Sequence, residues 1–297
     1  RILGIVGVQI CICVPIIVFQ FCKGKEFFSK EYWGYALRIG IPIVPHYLSG
    51  IILNQGDRIM IDKMVGKTEV ALYGLAYSIG MLVQLFISGM NSALTPWMYS
   101  KIKKGDIRSM RKVLQLLSIV VVGIAVALML ISPELVLIFG SPKYREAVYV
   151  IPPVAASVFF IFIYNILSMP QFYYEKTQFL MAASMAAAGA NVVLNFNFIR
   201  LFGYIAAGYT TLACYMLYSV GHYIVSKQIL VNEGIQENLM NPGFLLACSV
   251  FLIGASIICN LIFPYRILRY AILLASAGLV FWKKELLLKT MADIRKK

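Results

Sequence analysis

The sequence predicts an all-α fold, a polytopic membrane helix bundle of about nine transmembrane helices, and three observations carry that expectation. Of 297 residues, 60% are hydrophobic and 13% charged, whereas soluble domains run at roughly half apolar and a quarter charged. Mean hydropathy is +0.80. The apolar residues also gather into nine runs, each near the length of about 20 residues that a helix needs to cross a hydrocarbon core. The alternating pattern of barrel strands is not seen.

The runs fall at residues 2–21, 35–56, 70–90, 113–131, 148–169, 179–199, 203–225, 243–263 and 267–282, the last being the weakest. Nine spans place the connections alternately on two sides, and the charges test the count. Counting residues near span ends with the side they adjoin, the side reached after the odd-numbered spans collects 18 of the 27 basic residues and the other side nine. The richer side is expected to be cytoplasmic, with Arg1 outside and the tail inside. The net charge of +14 is then loop charge that orients the chain and meets anionic lipid head groups, with no call for nucleic acid.

Between the first two spans, Lys23 to Tyr32 mixes charge with Phe27, Phe28 and Tyr32, which suggests a cytoplasmic interfacial helix. Lys101 to Lys112 is a polybasic cytoplasmic loop broken at Gly105-Asp106. Residues 132–147, with two prolines and a glycine, form the longest external connection, too small for a folded catalytic domain. The chain opens on Arg1, and residues 2–21 are too long for a signal peptide and lack its cleavage site, so it is expected to begin partway through a larger protein. The six cysteines have neither zinc-site nor disulfide-frame spacing; neither metal nor cofactor is expected. Trp33, Trp97, Trp282 and the tyrosines near span ends fit aromatic belts.

Three stretches together carry a family resemblance. Residues 54–80, NQGDRIMIDKMVGKTEVALYGLAYSIG, place Asp-Arg at the end of one span and Gly-x-x-x-x-Ala-x-Tyr opening the next. Residues 138–154, IFGSPKYREAVYVIPPV, lead from a Phe-Gly turn into a proline-bearing span, and residues 189–215, GANVVLNFNFIRLFGYIAAGYTTLACY, close a helix with Asn-x-x-x-Asn. In register, they resemble the polysaccharide flippase family (Wzx-like) of the multidrug/oligosaccharidyl-lipid/polysaccharide exporter superfamily. The resemblance implies fourteen helices in two six-helix bundles plus two C-terminal helices. On that template residues 1–22 are the last helix of the N-terminal bundle, 23–34 a cytoplasmic linker, 35–226 the C-terminal six-helix bundle, 243–282 the two additional helices and 283–297 a cytoplasmic tail.

The same resemblance implies a flippase that moves an undecaprenyl-pyrophosphate-linked oligosaccharide, an O-antigen or capsular or exopolysaccharide repeat unit, across the bacterial plasma membrane by alternating access. Expected partners are that lipid-linked oligosaccharide, membrane lipids, a coupling proton or sodium ion, and polysaccharide polymerase and chain-length proteins. A cation-coupled multidrug exporter shares the architecture but is expected to concentrate carboxylates in its cavity. An integral-membrane polysaccharide-assembly enzyme is expected to carry a sizeable outer loop, and an inactive remnant is a third alternative. No nucleotide-phosphate loop, metal-ligand cluster or nucleophile-base pair is found in the sequence, so catalysis is not expected.

The candidate site residues lie in residues 38–67, which are apolar enough to span yet hold Pro42, Pro45, His46, Asn54-Gln55 and Asp57-Arg58. Such groups at membrane depth are costly unless they face a wet cavity or a partner helix. Asp57 and Arg58, being adjacent, point about 100° apart on a helix. The i,i+4 pair is Asn54 with Arg58, Tyr47 shares that face, and His46 returns to the face of Asp57. Two readings stay open: a cavity wall where Arg58 engages a pyrophosphate while Asp57 or His46 senses ions or protons, or an outer interface where Asp57 and Arg58 cap the helix. Arg38, at the cytoplasmic mouth, is either a first phosphate contact or a snorkelling arginine. Pro42 and Pro45 predict a bend. Asn191 and Asn195, on one face with Ser184, Ala187 and Ala188, suit close helix packing.

Overall fold

The computed structural model describes residues 2–25 and 28–282, and the described chain is helical nearly throughout. The helices are α1 (Ile2–Gly24), α2 (Lys30–Met64), α3 (Lys67–Gly80), α4 (Leu82–Lys103), α5 (Ile107–Phe139), α6 (Ile151–Tyr173), α7 (Thr177–Phe202), α8 (Ile205–Asn232), α9 (Pro242–Ile262) and α10 (Arg266–Trp282), with a 3-10 segment Pro142–Val150 leading into α6. Among the described residues there is no strand.

Among the described residues, seven helical segments are long and apolar enough to cross a membrane: α1, α2, α3 with α4 as one interrupted span, α5, the 3-10 segment with α6, α7, and α9. The protein is a multi-pass membrane helix bundle. Of the nine spans expected, α8 and α10 fall outside that set. The 17 residues of α10 rise only about 26 Å, short of a core of about 30 Å. At 28 residues α8 is long enough; it is the polar groups along its inner face that lower its hydropathy.

The ends of the helices follow local chemistry. The carboxylate of Asp106 caps α5 by accepting from the Ser109 backbone N–H at 3.3 Å, and Asn241 caps α9 by accepting from the N–H groups of Gly243 and Phe244, with Pro242 in the first turn where its missing donor costs nothing. Gly203 closes α7 at φ 73°, a conformation that favours glycine. Gly24 ends α1 and Lys30 begins α2, so the expected interfacial helix at Lys23–Tyr32 is not a separate element; Phe27 and the tail 283–297 lie outside the described residues.

The described chain divides into two compact units, Arg1–Ile41 and Pro42–Lys297. The division falls beside the first of the two prolines of α2. In the first unit, α1 presents Leu3, Ile10 and Phe19 at its surface, and the rings of Phe28 and Trp33 lie 6.0 Å apart.

In the second unit α6 is the central helix, buried without a break from Ile151 to Ile163. A helix apolar on all faces belongs in the middle of a bundle, and α4, α5, α7, α8 and α9 all pack on it. Small residues allow close approach: a Cβ on Gly80 would stand 2.6 Å from Val154 Cγ1, and one on Gly208 3.3 Å from the Val150 carbonyl. Two long-range contacts join segments that the alternation of spans puts on one side. Arg111, at the start of α5, donates to the Asn238 carbonyl before α9 at 2.7 Å. Arg269, at the start of α10, pairs with Glu134 near the end of α5.

A buried polar seam as the candidate functional site

The Pro42–Met64 part of α2 turns one stripe inward. Ser49, Leu53, Asp57 and Ile61, four apart, are its buried residues, and half-buried His46 extends the stripe one turn earlier. Two helices meet this stripe. From α7 come Ser184, Asn191 and Asn195, all fully enclosed. From α8 come Thr211, Tyr215, Tyr218, His222 and Ser226, spaced 4, 3, 4 and 4 residues apart and all buried. That spacing keeps them on one helical face, and fifteen residues of rise make the seam about 22 Å long, most of a hydrocarbon core.

Asp57 anchors one end. It is 0% exposed, its Oδ2 accepts from the Tyr73 hydroxyl at 2.5 Å and the Thr211 hydroxyl at 2.7 Å, and its Oδ1 accepts from Asn195 Nδ2 at 2.5 Å. Asn195 is itself held by Asn191 Oδ1 at 3.1 Å and by the Thr210 hydroxyl. Among the described residues no basic side chain stands within ion-pair distance of Asp57. A buried carboxylate is tolerated only where hydrogen bonds or a counter-charge replace its lost hydration, and here neutral donors do all of that work.

One turn along, Asn54 Oδ1 accepts from the hydroxyls of Tyr77 (2.7 Å) and Tyr215 (3.3 Å). Next, His46 Nδ1 lies 2.5 Å from Ser184 Oγ and 3.1 Å from the Tyr218 hydroxyl, which also reaches Ser184 at 2.8 Å. The Tyr164 ring of α6 lies 4.4 Å from Tyr218. At the far end Gln171 Nε2 is 2.8 Å from His222 Nδ1.

The predicted residues divide accordingly. His46 and Asp57 do share a face and both meet α7 and α8. The expected Asn54–Arg58 pair is not formed: Asn54 turns to the two tyrosines, while Arg58 donates to Gln55 Oε1 at 2.6 Å and lies over the Tyr77 ring, 5.1 Å from its centroid. Tyr phenols offer Asn54 a buried partner, and the aromatic face offers the guanidinium a partly dry one. Asp57 does not cap the helix at an outer water interface, since it is enclosed and α2 runs on to Met64. Half-buried Arg58 has no carboxylate partner among the described residues. Tyr47 points outward. Arg38 is exposed and belongs to the first unit.

The three stretches that carried the resemblance meet in space. Gly80 of the first abuts Val154 of the second, Gly208 of the third abuts Val150 and Pro153 of the second, and Asp57 binds Asn195 and Thr211 across first and third. Residues 3–103 match the family described as polysaccharide biosynthesis protein. Over those residues, which run from α1 to the end of α4, the chain is similar to that family. It is 28% identical over 195 residues to protein 1 of the Lsg locus of Haemophilus influenzae, covering 61% of this chain and 47% of that relative. An uncharacterized membrane protein of the same organism is 29% identical over 167 residues, 52% of this chain and 40% of its own. The chain thus spans less than half the length of either relative in these matches. No solved structure matches it.

Sequence reasoning did not name Tyr73, Tyr77, Thr211, Tyr215 or Tyr218 as site residues, although Tyr73 stands in the Gly-x-x-x-x-Ala-x-Tyr motif. Their signal was present: Tyr73 and Tyr77 are four apart on α3, and the α8 stripe has a helical period. Tyrosine and threonine count as ordinary within apolar runs, so neither pair nor stripe stood out.

Proposed function

We propose that this chain supplies a helix bundle of a flippase that moves an undecaprenyl-pyrophosphate-linked oligosaccharide, the repeat unit of an O-antigen, capsular or exopolysaccharide, across the bacterial plasma membrane. In this reading two bundles alternate in access, the sugar head crosses through a polar cavity and the lipid tail stays in the bilayer. The similarity to a polysaccharide biosynthesis family supports a place in that pathway, and the basic loops support a cytoplasmic face at Lys101–Lys112.

The observation that carries the reading is the contrast between neighbours on α2. Among the described residues the Arg58 guanidinium has no carboxylate partner and lies on a tyrosine face, suited to the phosphates of a cargo head group. Asp57 is enclosed by donors, out of reach of a bulky cargo and suited to a small coupling ion. A bound ion changes the charge at the junction of α2, α3, α7 and α8, and so biases the packing that alternation requires.

The test is complementation of a flippase-deficient strain with the full-length gene, measuring lipid-linked oligosaccharide in each leaflet. Restored appearance in the outer leaflet is expected, with loss on Asp57→Asn at unchanged protein level. Continued accumulation inside despite expression would reject the reading.

A further inference from the structure

Apart from the polar seam, a groove of about 270 Å³ runs between α8 and α9 with α6 beneath it. Phe160 and Ile163 of α6 line its floor, and residues 216–223 of α8 and 242–249 of α9 line its walls. On α8 the lining residues Met216, Ser219, Val220 and Tyr223 recur at helical spacing. Their arc is centred about 110° round the helix from the seam residues, so the two faces are distinct. The groove is dry, because the hydroxyls of Ser219 and Ser249 return to carbonyls of their own helices. Its rim is open, with Val220 55% and Leu246 66% exposed. On a membrane-spanning bundle such a surface faces hydrocarbon.

The two ends of the groove differ. At one end Lys227 lies a turn beyond Tyr223 on the same arc of α8, exposed and in no ion pair among the described residues. Arg111 reaches this end from α5, donating to the Asn238 carbonyl shortly before Pro242 and standing within electrostatic range of Tyr223. Over the first two turns of α5, the last two turns of α8 and the loop that follows, the cations Arg108, Arg111, Lys112 and Lys227 outnumber the carboxylates Glu233 and Glu237. At the other end Asn260 of α9 donates to the Tyr209 hydroxyl of α8 at 2.8 Å. Both residues continue the lining arcs of their helices, so this bond closes the groove. From Met216 to Lys227 the rise is about 17 Å, close to half of a hydrocarbon core of about 30 Å.

We propose that this groove binds one acyl chain of an anionic glycerophospholipid, whose phosphate lies at Lys227 beside Arg111. The site goes beyond the transport reading and does not rest on it, since it needs only the membrane-spanning bundle. Length, polarity and charge each point to this occupant. The open length matches a chain of one leaflet, and the Tyr209–Asn260 bond leaves no continuous track for a chain that crosses both. A volume of about 270 Å³ is below the roughly 300–1,000 Å³ of ordinary ligand pockets, so it takes an extended chain and leaves the head group outside. The dry walls suit methylenes. A lysine at the end of the track stands where the phosphate of that leaflet begins, and basic residues beside membrane helices attract anionic head groups.

The experiment is native mass spectrometry of the full-length protein, taken into mild detergent from vesicles of phosphatidylglycerol or of phosphatidylcholine, comparing wild type with Lys227→Gln and Val220→Trp. Expected for the wild type is one phosphatidylglycerol that survives delipidation, with phosphatidylcholine retained less. Lys227→Gln should lower phosphatidylglycerol retention about fivefold, the effect of one lysine at a phosphate, and leave phosphatidylcholine unchanged. Val220→Trp, whose ring fills the groove, should lower retention of both lipids by more than Lys227→Gln lowers that of phosphatidylglycerol. If Val220→Trp does not fold, Leu246→Trp on the facing wall reads the same loss. Retention in the tryptophan variant equal to wild type overturns the groove. Equal retention of the two lipids, or of phosphatidylglycerol in wild type and Lys227→Gln, overturns the charged end. Displacement of phosphatidylglycerol by equimolar undecaprenyl phosphate assigns the groove to a polyprenyl chain and overturns the phospholipid; so does a doubled mass that the tryptophan variant abolishes, the mark of a contact between two copies. None of these readouts involves export, so failure of the lipid site and failure of the transport reading are told apart.

Discussion

Two acids of the second unit, half-buried Glu134 and enclosed Asp57, are held in opposite ways. Glu134 is paired: Arg269, 3% exposed, donates to both of its oxygens at 2.8 Å and to the Leu130 carbonyl, with the Tyr270 hydroxyl donating as well. Asp57 is unpaired, held by two hydroxyls and an amide. A bidentate ion pair fixes geometry and resists change, since removing either charge strands the other. A carboxyl held by neutral donors can lose its charge without stranding a counter-ion, because hydroxyls can reverse between donor and acceptor. The first arrangement fastens α10 to α5. The second suits a group whose charge changes during a cycle.

Substitutions can break or sharpen this contrast. The largest effect is expected from Asp57→Asn, which keeps the shape but removes the charge: export should fall about a hundredfold, close to 3 kcal/mol at 1.36 kcal/mol per tenfold, while membrane insertion, followed by fractionation and blotting, is unchanged. Arg58→Ala should lower export at least about tenfold, a loss of one charge-assisted contact, again without loss of protein. Arg269→Ala should invert the pattern. Thermal unfolding in detergent should show a loss of about 2 kcal/mol as Glu134 keeps only Tyr270, Glu134→Gln in the same chain should recover part of it, and export should stay near wild type. The smallest effect is expected from Tyr73→Phe, about 1 kcal/mol of stability for one hydroxyl on Asp57. A large loss of export in the Arg269 variant with none in Asp57→Asn would reverse the assignment of roles.

Much of the architecture was legible because hydropathy reports on lipid contact directly. Runs around α1, α5 and α9 are apolar throughout, and the structure finds spans there. Legibility failed where one helix face is polar: α8 passes as a span by its length, yet its inner stripe is what makes the site. Asp57 and His46 were found because ionic groups at membrane depth are rare. Their partners were missed because contacts such as Asp57 with Thr211, 154 residues apart, follow from packing and not from local spacing. Asn191 and Asn195 were read as packing residues, and they do pack, but against the carboxylate. The Asn54–Arg58 pairing failed for a related reason, since tertiary neighbours on α3 outcompeted a neighbour on the same helix.

The stripe on α8 also bears on how the chain is made. A segment carrying hydroxyls, amide-bound imidazole and phenols along one side gains little by leaving the translocation machinery for lipid alone. Only two residues separate it from α7, whose small side chains and amides complement it. The pair is therefore expected to enter the bilayer as one hairpin, with α8 held until α7 can cover it.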